Sequence, residues 1–482
     1  MEKTFQVLVR LKIIFAENQM KPKSENKAWT ILTKKTTPIC VFVVLILFIA
    51  LLFRLGIWVG YLGKPYTFIH QDTNSYWQTG IELITKGQFP GFLRTPVYPF
   101  FLGFLNQIFS LSSPAIALVQ ISISMITLGL MFYFAYQLFG KRCAIIAMLF
   151  FASDIPTCIS NNQLITETVF TFMLMCTVIA IVRLSRKDAS IVYSSWVGLG
   201  FSLLSLCRPI AVLLFIPVAA WYFFILRKNS QRVYIHVLSF LVCSLLLPSA
   251  WTYRNYIHTG QIFFSTISSA DLYEYRAAWN EARITNRPFY TVQAEFRQKK
   301  EKVRKEESLN EGELAQRFQA EGIRILLKYP LLTLRQGVEG FFKMYFGISN
   351  AGINALIPKA ENQPLNFAES FNDPEKKDLG KLVRQTFKGQ PFWITAIKGW
   401  TILHLLLLYS GFVLLIPFIR DKQKNHAVFW LLVIIVGYFT LFSIGAETTS
   451  RFRVPIVPML SILSGIGWTT FFEGEVKVMF KA

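Results

Sequence analysis

Apolar runs of about 20 residues, long enough to cross a bilayer as helices, recur along this chain and settle most of what it can fold into. They lie near 38–62, 113–140, 142–160, 163–184, 190–206, 209–227 and 233–251, and again at 394–418, 427–445 and 454–472. That makes about ten spans by the length criterion, with 96–111 and 331–347 as candidates for short or re-entrant helices. Within hydrocarbon the backbone must satisfy its own polar groups, so such runs are helices. Composition agrees, since 53% hydrophobic and 16% charged residues lie outside the soluble globular range. The chain reads as an all-α polytopic membrane protein. Its net charge of +22 is therefore a question of which side of a bilayer the cations occupy, not of nucleic-acid binding.

Residues 1–37 are too polar and lysine-rich for a cleavable signal, and Lys21, Lys23, Lys27, Lys34 and Lys35 place this N-terminal segment in the cytoplasm. Alternation from there puts Lys141-Arg142, 183–187, 227–232 and 420–424 inside, so every short basic loop obeys the positive-inside rule. The same alternation sends Asp72, Arg94, Glu167, Arg208, Arg254, Glu447, Arg451 and Arg453 to the outer face, against that trend. A charge at a helix centre costs ~2.5–3.5 kcal/mol. Span ends cost less, but ionisable groups gathered on the disfavoured side still point to a function.

The chain divides into a cytoplasmic segment 1–37, a seven-span module 38–251 with its first outer loop at 63–112, an extracytoplasmic region 252–393, three further spans within 394–472 and a cytoplasmic tail 473–482. The run 297–307 reads as a solvated helix or loop. Leu314, Phe318, Ile325 and Tyr329 mark an amphipathic helix ended by Pro330. A second amphipathic run follows it, and 349–391 reads as loop. The six cysteines, Cys40, Cys143, Cys158, Cys176, Cys207 and Cys243, sit in apolar spans without a CxxC pair, and the five histidines show no ligand spacing.

The first outer loop carries an isolated acid, Asp72, then Tyr76 and Trp77, then Arg94 in Arg94-Thr95-Pro96-Val97-Tyr98-Pro99. Asp72 suits a general base accepting the proton of an acceptor hydroxyl; equally, Asp-Thr-Asn-Ser opens a helical pattern and Asp72 could be its N-cap. Arg94 suits a phosphate ligand, or else snorkels at a span end. Glu167, a turn into its span, wants a partner so close to the apolar region; a dipole-stabilised acid is the alternative. Asp154, ahead of Pro156 at an outer span end, reads first as a cap, with a part in binding an acceptor or a metal as the alternative. Arg208, Arg254, Arg451 and Arg453 lie at span ends on the same side. Several arginines on one face would neutralise a phosphate leaving group, removing the need for the second carboxyl that a glycosidase requires.

These pieces, Asp72 with Tyr76, RTPVYPFF at 94–101, ITET at 165–168, CRP at 207–209, WTYRNY at 251–256 and RFRVPIVP at 451–458, resemble in order and spacing the bacterial family 39 glycosyltransferases of the GT-C fold, the protein O-mannosyltransferase and aminoarabinose-transferase superfamily. The resemblance implies a GT-C-type bundle of about ten spans with a mostly helical extracytoplasmic region. It implies inverting transfer of a sugar from a polyprenyl-phosphate donor to an envelope lipid, glycan or protein, in the inner (plasma) membrane with the site facing the periplasm or exterior. Asp72 would be the catalytic acid of the first loop, Tyr76 and Glu167 would shape the acceptor site, and Arg94, Arg208, Arg254, Arg451 and Arg453 would bind the donor phosphate. No cofactor is certain: many relatives have two adjacent acids in the first loop, whereas Thr73 follows Asp72 here, so a divalent metal is allowed by the family but not indicated. A transporter or flippase of lipid-linked saccharides is the alternative, although the spans are nearly uncharged in their middles and show no repeated halves.

Overall fold

The computed structural model describes residues 28–185, 190–227, 233–357, 389–421 and 426–474. It divides into two units, Met1–Phe48 and Ile49–Ala482. In the first unit the described residues form the opening part of the helix Ala28–Leu62; the second holds everything discussed below. Among the described residues there are helices and loops but no strand.

Among the described residues, seven helices are long and apolar enough to cross a membrane, at Cys40–Leu62, Ser113–Phe139, Glu167–Leu184, Pro209–Leu226, Val233–Thr259, Phe392–Arg420 and Ser450–Glu473. Each of the ten expected runs is helical, but three differ from a plain span. The run near 142–160 is a pair, Lys141–Ser153 and Ile155–Asn162, bent by 54°. Asp154 sits at the break and caps the second piece, its Oδ2 accepting from the Thr157 amide at 2.9 Å, and Pro156 withholds a backbone donor there. Ile191–Cys207 and Ala427–Ser443 are the other two, at 17 residues each, or about 25 Å at 1.5 Å per residue, just short of the ~30 Å core. The stretch at 96–111 is the short helix Val97–Phe109.

The span expected to stop at 251 runs on to Thr259, so Arg254 rides on its last turns. Beyond it, Phe289–Glu306 carries the charge run on an exposed helix. Glu311–Lys328 begins with a capping box at Asn310 and Glu313. It buries Leu314 and Phe318 against Tyr273, and Pro330 opens the next helix, Pro330–Phe346. Of the expected 349–391 loop, residues 350–354 form a short helix and 358–388 lie outside the described residues, as do 1–27 and 475–482.

Two features place the first outer loop. The helices Thr73–Lys86 and Val97–Phe109 cross backbone to backbone at Gly80 and Gly103, where a Cβ on Gly80 would lie 3.0 Å from the Gly103 nitrogen; small residues permit this approach. The loop is then stitched to the junction ahead of Glu167, since Thr73 Oγ1 donates to the Leu164 carbonyl at 2.8 Å and the Leu164 amide to the Phe68 carbonyl at 2.9 Å.

Candidate active site

Asp72 precedes the Thr73–Lys86 helix, yet its carboxylate makes no capping hydrogen bond. It is spent on two guanidinium groups instead. Arg94 Nη2 donates to Oδ1 at 2.7 Å and Arg451 Nη1 to Oδ2 at 2.9 Å. The cap reading of Asp72 thus fails on geometry.

Arg94 follows from the loop's own construction. Helix periodicity puts Ser75 and Tyr76 on the turn next to Asp72, and the Gly80–Gly103 crossing brings Arg94 back over that turn. Its Nε donates to Ser75 Oγ at 2.8 Å, its Nη1 to Tyr76 Oη at 2.9 Å, and its plane lies 4.2 Å from the Tyr76 ring centre. A fork held at three points has little freedom left.

Glu167 is the first residue of its helix and almost fully buried. Arg208 Nη1 donates to its Oε1 at 3.1 Å, and Arg451 Nε lies 3.1 Å from the same oxygen without hydrogen-bond alignment. Arg451 therefore joins the two carboxylates, so Asp72, Arg94, Glu167, Arg208 and Arg451 form one continuous cluster. His70 completes it, with Nδ1 3.0 Å from Arg451 Nη1. Burial, and then Arg451, keep the His70 ring below its ordinary pKa and so neutral. Burial works to raise the Asp72 carboxyl, but Arg451, the His70 hydrogen bond and Arg94 together hold it well below the usual carboxylate range. Burial also pushes the Tyr76 phenol up.

Three arginines against two carboxylates leave the cluster with one uncompensated positive charge. The Asp72 side chain is 28% exposed and that of Arg451 21%, whereas Glu167 is 1% exposed. The open face of the cluster is thus the Asp72–Arg451 side. Such a site is built to receive a single negative charge.

The other expected phosphate ligands lie elsewhere. Arg254 donates to the backbone carbonyls of Phe89 and Gly91 and to Asn255 Oδ1, and stacks within 4.8 Å of the Phe92 ring centre; it fastens the loop that leads to Arg94. Arg453 is fully buried and donates to the Met344 and Tyr345 carbonyls and, at 3.2 Å, to Asp154 Oδ1. Its place beside Arg451 in sequence is undone by the 3₁₀ segment Ser450–Ile456, where two residues' separation turns a side chain about 240°. Among the described residues no group of three His, Cys, Asp or Glu side chains gathers in a way that could hold a metal ion.

Sequence reasoning placed Glu447 on this side but not its partner. Arg276 donates to Glu447 Oε1 from Nη2 at 2.6 Å and from Nε at 3.0 Å. Arg276 lies in the π-helix Ala270–Ala277, whose wider winding leaves no 3.6-residue signature to read.

With this geometry in place, the likeness to known proteins is informative. The pattern of the dolichyl-phosphate-mannose-protein mannosyltransferase family matches residues 93–251, a stretch containing Arg94, Glu167 and Arg208 but neither Asp72 nor Arg451. Over most of its length the backbone also follows the oligosaccharyltransferase of Archaeoglobus fulgidus in its apo form, with a TM-score of 0.50 at 13% identity, covering 90% of this chain and 51% of that one. The chain has the GT-C fold. The GT-C chain spans about half the length of that oligosaccharyltransferase. It also shows a likeness to ArnT from Cupriavidus metallidurans bound to undecaprenyl phosphate, with a TM-score of 0.39 and 12% identity over 90% of this chain and 78% of that one. No curated protein matches the GT-C chain by sequence.

Proposed function

We propose that this multi-pass membrane protein is a glycosyltransferase that moves a sugar from a polyprenyl-phosphate donor to an envelope lipid, glycan or protein on the extracytoplasmic side, with inversion at the anomeric carbon. The observation that carries this reading is the one unmatched positive charge on the half-open Asp72–Arg451 face. A polyprenyl-phosphate sugar is a phosphodiester and brings one negative charge. Arg94, Arg208 and Arg451 would share its non-bridging oxygens and stabilise the charge that collects on phosphate as the glycosidic bond breaks. A phosphate leaves without protonation, so no general acid is needed.

Within this reading Asp72 and Glu167 hold the guanidinium forks in position before the donor arrives, the donor phosphate exchanges with part of their contacts, and the Asp72 carboxylate then takes the proton of the acceptor hydroxyl. Tyr76, fixed by Arg94 at one end and by the Tyr98 ring 5.1 Å away at the other, lines the same face. The family match over 93–251 and the GT-C fold support the choice of a lipid-linked donor.

The test is transfer of a radiolabelled sugar from a panel of polyprenyl-phosphate donors into envelope material by membranes holding the wild type or Asp72→Asn. The wild type should label the material and Asp72→Asn should lose at least ~100-fold, the usual scale for a misplaced catalytic constellation, while inserting at the same level. Equal transfer by both would remove Asp72 from the site, and no transfer by either from any donor would count against the enzyme reading.

A further inference from the structure

The site has two helical arms. One is Arg94 with Tyr76 and Asp72, built on the first outer loop; the other is Glu167 with Arg208, at the head of the span Glu167–Leu184. Arg451 joins their carboxylates from a third segment. A further connection between the arms runs outside the charged cluster, through Gln120.

Gln120 is fully buried, two turns into the span Ser113–Phe139. An amide in such surroundings is costly unless its hydrogen bonds are made, and this one makes three. Its Nε2 donates to the Gln163 carbonyl at 2.7 Å and to the Asn161 carbonyl at 3.2 Å, and its Oε1 accepts from Tyr98 Oη at 2.9 Å. Two carbonyl partners can be met only by the NH₂ group, so the neighbours settle which way the amide points.

Each end of the amide leads to one arm. The carbonyls of Asn161 and Gln163 belong to the break between the helices Ile155–Asn162 and Glu167–Leu184, where the last carbonyls of a helix lack partners within it. Thr168, next to Glu167, closes this break on itself, its Oγ1 donating to Asn161 Oδ1 at 2.9 Å. At the other end, Tyr98 stands four residues after Arg94. Its ring meets the Tyr76 ring edge-on, at 88° with centres 5.1 Å apart, and Tyr76 carries Arg94 on its hydroxyl and its face. A residue that served the orphan carbonyls alone would need its two N–H groups and nothing more. The oxygen turned to Tyr98 makes a second connection, from the Glu167 arm to the Arg94 arm.

We propose, resting on the glycosyltransferase reading, that Gln120 is a positioning residue that fixes the spacing of the two arms, so that Arg94 and Arg208 close on one phosphate together. It touches neither donor nor acceptor. With the connection cut, each arm keeps its own ion pair while their separation varies. A phosphate then meets one guanidinium well and the other badly, and the loss falls on phosphate binding.

The experiment measures the affinity of the detergent-purified full chain for a polyprenyl phosphate, together with its thermal midpoint, for the wild type, Tyr98→Phe, Gln120→Leu and the double variant. Donor KM and kcat are measured for the same set in membranes. Tyr98→Phe keeps the ring against Tyr76 and removes only the link, so its affinity should fall at least ~3-fold, the scale of one hydrogen bond, with the midpoint little changed. Gln120→Leu should lose at least ~10-fold, towards the ~100-fold of a 1 Å misplacement. The double variant should bind no more weakly than Gln120→Leu, because both cuts sever one connection. Donor KM should rise in step with these losses. A Tyr98→Phe loss under ~3-fold, or a double variant whose loss is the product of the single losses, overturns the assignment. So does a lowered midpoint with unchanged affinity, the mark of a residue that serves the fold alone. Tyr98→Phe decides the matter if Gln120→Leu does not insert. A wild type that binds polyprenyl phosphate but transfers sugar from no donor ends the transferase reading, while the affinities still decide the role of Gln120; a wild type that binds none ends both.

Discussion

Replacing Gly80 by alanine should disable the site without touching any charged residue. A methyl group at that position would lie 3.0 Å from the Gly103 nitrogen and 3.1 Å from the Pro99 carbonyl carbon, with the Pro99 oxygen closer still. Backbone cannot rotate away as a side chain can, so the helices Thr73–Lys86 and Val97–Phe109 must separate by about 1 Å to restore an ordinary carbon–oxygen contact of ~3.3 Å. Asp72 leads directly into the first helix, which carries Ser75 and Tyr76, and Arg94 is anchored just ahead of the second. The same displacement would stretch the Arg94–Asp72 contact from 2.7 Å to beyond hydrogen-bond range. Overpacking of this kind costs ~1–3 kcal/mol, and a 1 Å misplacement of a catalytic group costs ~100-fold in rate. The assay pairs the thermal midpoint of detergent-purified protein with donor transfer, using Gly129→Ala as control, because a Cβ there meets nothing within 4 Å. Gly80→Ala should lower the midpoint and lose transfer, and Gly129→Ala should do neither. A Gly80→Ala protein with unchanged midpoint and transfer would show that the crossing does not set the Asp72–Arg94 geometry.

Two further outcomes follow from the arginines. Arg453→Met leaves Asp154 buried beside His404 without its cation, at a cost of ~3–5 kcal/mol, so the thermal midpoint should fall steeply and recover in part in Arg453→Met with Asp154→Asn; an unchanged midpoint in the single variant would contradict the buried pair. Arg94→Lys keeps the charge but cannot reach Asp72, Ser75 and Tyr76 together, and hydrogen bonds to charged groups are worth ~1.5–3 kcal/mol each, so donor KM should rise at least ~10-fold; a donor KM equal to wild type would mean that the fork is not used.

The spans were readable because hydropathy is a local property: a run of apolar residues needs no knowledge of its neighbours to be a membrane helix. What the pattern could not give was the bend at Asp154, which depends on Asp154 and Pro156 acting together on a buried turn. In the site, Asp72, Arg94, Glu167, Arg208 and Arg451 were legible as charges on a disfavoured side, and the structure brings these five together. Arg453 carried the same signal and lies instead in the core, because sequence shows which side of a membrane a residue is on but not its direction from a 3₁₀ turn. Arg254 likewise fastens the loop to the helix end. Arg276 gave no signal, since it sits in a π-winding and finds Glu447 far away in sequence.

The segment Ser450–Glu473 is the most enclosed of the membrane helices: 89% of its apolar window is buried, against 28% for Val233–Thr259. It is also the last of them to leave the ribosome. Until it does, Asp154 has no Arg453, and neither Asp72 nor Glu167 has Arg451. The nascent protein must therefore wait in the bilayer with a slot open at its centre and acids exposed along that slot, at a synthesis rate of ~5–20 residues per second. Among the described spans, the one made last is thus a closing key instead of a peripheral addition. A polypeptide interrupted shortly before Ser450 would hold nearly every described span, with Asp72 left to Arg94, Glu167 to Arg208 and Asp154 to His404, each carboxylate short of one arginine.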